Sequence, residues 1–159
     1  MIPGLKSTLL ILLLWAGVLF SCDEKGVYDN YHRLPESVWQ ADSLLTYEFS
    51  IENTRQQHNL FFNIRNDRSY AFSNLWLFVT INSPGGTAIT DTIQVLLADP
   101  AGKWLGKGFT GIYHNKITYR KNVFFPEAGK YSLILQHGMR PTELTGITDI
   151  GFRLEKTGM

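Results

Sequence analysis

From Tyr47 onward the hydrophobic positions recur every second residue, the period of a half-buried strand, not of a helix. Tyr47, Phe49 and Ile51 alternate with Glu48, Ser50 and Glu52, and Leu60, Phe62 and Ile64 alternate with Phe61, Asn63 and Arg65. Leu75-Trp76-Leu77-Phe78-Val79 is apolar at every position, which predicts a central strand covered on both faces. Ile93, Val95 and Leu97 form the next inward set. Ile117 and Tyr119, then Tyr131, Leu133 and Leu135, then Ile150, Phe152 and Leu154 follow. Turn residues fall between these runs: Asn66-Asp67-Arg68, Ser83-Pro84-Gly85-Gly86, Asp99-Pro100-Ala101-Gly102 and Pro126-Glu127-Ala128-Gly129. No segment beyond Cys22 carries a helical stripe over ten residues. About eight short antiparallel strands at this spacing predict an all-β domain, a β-sandwich, over residues 37–156.

The front of the chain has a different pattern. Lys6 precedes an unbroken uncharged run from Leu9 to Phe20, about 18 Å long as a helix at ~1.5 Å per residue. A bilayer core needs about 20 apolar residues, so the run has the length of a signal-peptide h-region. Leu19-Phe20-Ser21-Cys22 resembles a lipobox: Leu three positions before the cysteine and a small residue next to it. Residues 1–21 are therefore expected to be removed as a lipoprotein signal peptide, leaving Cys22 as the acylated N-terminus. Cys22 is the only cysteine of the chain, and lipidation accounts for an exported protein with an unpaired thiol. Residues 22–36, polar and punctuated by Gly26 and Pro35, are expected to form a flexible tether of at most ~50 Å. Asp23 and Glu24 sit where acidic residues route lipoproteins between membranes in some bacteria.

Composition narrows the function. The 159 residues are 44% hydrophobic and 18% charged, with 15 Lys and Arg against 14 Asp and Glu. Loss of Lys6 with the signal peptide leaves the mature domain balanced, without the concentrated positive charge that nucleic acid requires. Gly106-Lys-Gly108-Phe-Thr-Gly111 has the glycine spacing of a dinucleotide fingerprint, but strand-like sequence follows where a helix N-terminus is needed. A glycine-rich turn is the expected role. His32, His58, His114 and His137 are scattered and propose no metal site. Asp91, Asp99 and Asp149 could converge on Ca²⁺ only if folding gathered them. No cofactor and no catalytic set is expected. Trp39, Trp76, Trp104, Tyr113 and Tyr119 are candidates for a sugar-stacking platform, with core packing the competing role of each.

Several stretches, in order, resemble the GldH family of gliding-motility lipoproteins of Gram-negative bacteria. They are Trp39-Gln-Ala-Asp42, Asn74-Leu-Trp-Leu-Phe78, Asp91-Thr92 with Leu97-Ala-Asp99, Gly102-Lys-Trp-Leu-Gly-Lys-Gly108, His137-Gly-Met-Arg140, and Leu144 through Glu155. The resemblance runs from about Tyr31 to Lys156. It implies a non-enzymatic component of the gliding machinery, lipid-anchored in the cell envelope at the outer membrane, with no catalytic residues to carry over. Envelope proteins and the membrane are the implied partners; a surface glycan is the alternative, and a hydrolase a third class. Gly151 is expected to make room within a strand, and Arg140 to reach a carboxylate such as Asp149. The exposed-looking turn with Met139, Arg140 and Thr142 is the candidate partner-binding site, since Arg is favoured at binding hot spots and Met adapts to partner surfaces.

Overall fold

The computed structural model describes residues 25–158; the expected signal peptide and Cys22 lie outside them. The strands are β1 (Gly26–Arg33), β2 (Val38–Gln40), β3 (Leu45–Ile51), β4 (Gln57–Asp67), β5 (Asn74–Asn82), β6 (Ala88–Leu96), β7 (Ile112–Phe124), β8 (Gly129–His137), β9 (Glu143–Thr145) and β10 (Ile147–Lys156). One antiparallel sheet has the order β1-β10-β4-β7 and the other β3-β8-β5-β6, while β2 and β9 pair beside them. A 3-10 turn, Pro35–Ser37, joins β1 to β2.

The alternating residues meet between the two sheets. Phe49 and Tyr47 of β3 lie 5.5 and 5.9 Å, ring to ring, from Phe152 of β10. The Tyr47 hydroxyl donates to the Ile150 carbonyl at 2.8 Å, which satisfies its polar end across the core. Phe49, Leu77, Leu133 and Phe152 are all buried. Turns close where their residues demand it. Asp99 Oδ1 accepts the Ala101 and Lys103 N–H groups at 2.9 Å each, and Gly86 supplies φ +85° in the β5–β6 hairpin.

Three expectations are corrected. The tether is not flexible through residue 36: β1 pairs with β10 from Gly26 to Arg33, and Tyr28 packs its ring 5.8 Å from Phe152. The folded domain therefore reaches back at least to Gly26, eleven residues before position 37. The polar side chains of β1 concealed this, because only one of its faces meets the core. Secondly, Leu75–Val79 is central but covered on one face: Leu75, Leu77 and Val79 are buried, whereas Trp76 and Phe78 are 39% and 42% exposed. The third correction concerns Asp149, which is joined by Arg65 at 3.7 Å and not by Arg140. Arg65 lies directly across from it on β4.

Candidate interaction surface

β8 ends at His137, and the chain then turns through Gly138, Met139, Arg140, Pro141 and Thr142 into β9. Gly138 permits the turn. Its N–H donates to the Trp76 carbonyl at 2.8 Å, and a Cβ there would stand 2.9 Å from the Phe78 ring. Met139 is half-buried against the core, with the Trp76 N–H directed at its sulfur at 3.4 Å.

The base of the turn is held from inside. His137 is buried, edge-on to Trp39 at 5.4 Å between ring centroids. The Met139 N–H is directed at its Nδ1 at 3.4 Å, so Nε2 carries the proton and donates to the Trp39 carbonyl at 3.1 Å. Burial holds the imidazole below its ordinary pKa, which keeps this neutral tautomer. The Ala41 N–H donates to the Thr142 carbonyl at 2.8 Å, and Gln136 Nε2 donates to the Ala41 carbonyl at 2.6 Å. A fixed base thus presents Arg140 and Thr142 to solvent.

Trp76 and Phe78 extend this tip as a surface. They point outward from β5, with Leu96, 57% exposed, on the neighbouring β6. Gln94 and Thr92 lie opposite them on β6, and Gln136 opposite Phe78 on β8. The result is an apolar strip bordered by polar side chains, with the exposed Arg140 on the adjoining turn. The turn that carries the candidates Met139, Arg140 and Thr142 adjoins Trp76, read from the sequence as a stacking candidate, and Phe78, whose outward direction the unbroken apolar run concealed.

The other sequence candidates are dispersed. Trp39 is in the core, Tyr119 stacks on Phe62 at 5.0 Å, and Trp104 pairs with Tyr113 at 5.5 Å, so the five aromatics do not form one platform. Asp91 pairs with Arg120 at 2.7 Å, Asp99 caps a turn and Asp149 faces Arg65. Among the described residues, no group of three or more His, Cys, Asp or Glu side chains is placed to hold a metal ion. Gly106–Gly111 leads into β7, a strand. Lys107 and His114 exchange backbone hydrogen bonds at 3.0 and 2.9 Å, and a Cβ on Gly108 would collide with the Ile112 carbonyl. Gly108 thus serves close backbone approach, Gly106 leaves room for the Asn115 side chain, and Gly111 supplies a φ of +89°.

The fold is a two-sheet antiparallel sandwich with a partly apolar surface strip beside the 138–142 turn. The GldH lipoprotein family profile matches residues 26–154, and the chain belongs to that family, which makes it a lipid-anchored protein of the cell envelope. It is 43% identical over 148 residues to the gliding motility lipoprotein GldH homolog of Christiangramia forsetii, spanning 88% of this chain and 90% of the relative. It is 39% identical over 153 residues to the gliding motility lipoprotein GldH of Flavobacterium johnsoniae, spanning 92% and 94%. A carbohydrate-binding module specific for non-crystalline cellulose is similar in structure at a TM-score of 0.40 and 10% identity, over 86% of this chain and 94% of that one. That likeness is too slight to bear on ligands.

Proposed function

We propose that this protein is a non-enzymatic accessory or assembly subunit of the gliding machinery, held at the outer membrane by acyl chains on Cys22. It docks an envelope protein through Met139, Arg140 and Thr142 together with Trp76 and Phe78. The observation that carries this reading is the continuity of the two parts: the Trp76 N–H meets Met139, and Gly138 crosses Phe78. The turn and the exposed strip therefore form one surface. Exposed aromatics beside an arginine are the residue types that dominate protein interfaces, and the names of the relatives supply the machinery.

The test is cross-linking in a gliding host followed by recovery of the tagged protein. Wild type should bring down a defined envelope protein. Arg140→Ala and Trp76→Ala should lose it and impair motility, with protein level and acylation unchanged. Recovery of oligosaccharide in place of protein would overturn the reading in favour of the glycan alternative.

A further inference from the structure

The order of β1 fixes how the domain can stand on its membrane. Only Asp23, Glu24 and Lys25 separate Cys22 from β1, and Lys25 is itself held, its carbonyl accepting the Lys156 N–H at 2.8 Å. Three extended residues span about 10 Å. The lipidated residue therefore stays within roughly that distance of Lys25, in place of the ~50 Å a fifteen-residue tether would give.

The residues sharing that end of the sandwich follow from the register. Lys156 lies opposite His58, His58 opposite Val123, and Gln57 opposite Phe124. Three strand spacings of ~4.8 Å put Phe124 within about 15 Å of Lys25. In the facing sheet Ile51 lies opposite Gly129, whose backbone passes under Pro84, so the β3–β4, β5–β6 and β7–β8 turns gather at the same end. Phe124 is 56% exposed and Ile89 59%. Both line an apolar slot of about 250 Å³ that opens between the sheets, with Ile81, Val123 and Pro126. Arg55 and Lys121 stand exposed beside these turns. The Met139 turn is at the other end: β10 runs ten residues, about 33 Å, from Lys156 to Ile147.

We propose that the domain sits end-on, with the Lys25 end seated on the bilayer that holds its acyl chains. Phe124 and the slot enter the headgroup layer, and the Met139 end projects away from the membrane. The inference rests on acylation of Cys22. Because the anchor already confines the domain to the surface, even weak contact populates the seated orientation. Geometry, not net charge, carries the argument: Asp23 and Glu24 adjoin the anchor and offset nearby cations.

The test uses the full acylated protein in phosphatidylethanolamine–phosphatidylglycerol vesicles containing a nitroxide at headgroup level. Cys22 is consumed as a thioether, so a fluorophore can be placed on one new thiol in Phe124→Cys, Arg55→Cys or Thr142→Cys. Arg55 is exposed at a turn and serves if Phe124→Cys fails to fold. The labels at 124 and 55 should be quenched several-fold more than the label at 142. Intact mass is measured on the same sample. Acylated protein with equal quenching at both ends, or no quenching at 124 and 55, overturns the seating alone. Protein retained in cells without acylation of Cys22 overturns the anchor reading and the seating with it.

Discussion

The ring of Tyr31 lies over Gly151, so close that a Cβ on residue 151 would stand 2.7 Å from two of its carbons. The two residues face each other across the β1–β10 ladder. Arg65 covers the same ring from β4, its guanidinium 4.9 Å from the centroid. Gly151 thus holds β1 to the sheet by leaving space for an aromatic, and nothing else about the strand requires glycine there. Gly151→Ala should destabilise the domain by about 1–3 kcal/mol, the usual range for overpacking. Adding Tyr31→Ala should recover part of that loss. Urea unfolding of the three variants checks this; a neutral Gly151→Ala would show that Tyr31 swings aside freely.

Removing β1 tests the revised boundary directly. A fragment beginning at Val38 loses Tyr28 from the core and uncovers the edge of β10. It should unfold at lower urea than a fragment beginning at Lys25, and should self-associate through the bare edge. Analytical ultracentrifugation and urea melts measure the two effects.

Leu133 is fully buried in β8, the strand between β3 and β5. Leu133→Ala should cost about 2–5 kcal/mol, from lost burial and the cavity left behind. Thr142→Ala, at an exposed position, should change unfolding by less than about 0.5 kcal/mol.

Burial lowers the pKa values of both His137 and His58, in each case outweighing backbone hydrogen bonds that act in the opposite direction. In the unfolded chain both take up protons near pH 6.5, before the folded protein does. Stability is therefore complete above about pH 7 and declines as pH falls below that value, by up to about 1.4 kcal/mol per pH unit for each histidine. Urea melts at pH 7, 6 and 5 should show this slope, and His58→Gln with His137→Gln should flatten it. The carboxyls of Asp91 and Glu155 are lowered by their Arg and Lys partners; for Glu155 those hydrogen bonds overcome an opposing effect of burial. Their contribution is complete above the ordinary carboxylate range and is lost as pH falls through that range toward their lowered values.

Cys22→Ser should accumulate as the uncleaved precursor, while wild type should begin at an acylated Cys22. Intact-mass measurement of membrane-extracted protein distinguishes them; an unmodified Cys22 would contradict the lipobox reading.

The two-residue period by itself determined strands β3 to β8 and β10 and the core between them. Tyr47, Phe49, Leu60, Phe62, Leu133 and Phe152 must be buried together, because a one-residue slip would turn each toward water. The Leu19–Cys22 pattern likewise is read without a fold, and the Cys22→Ser variant tests it. What the sequence left undecided depended on neighbours distant along the chain. Strand β1 is polar on one side and irregular at its start, so its pairing with β10, more than a hundred residues away, was not legible. Leu75–Val79 is apolar on both faces, and periodicity cannot say which face a second layer covers. Arg65 was the partner of Asp149 because register placed it opposite, whereas Arg140 was the nearer cation along the chain. Only the packed sheets decided that Trp76 and Phe78 would join Met139 and Arg140 as one surface, because that depends on which strands lie side by side.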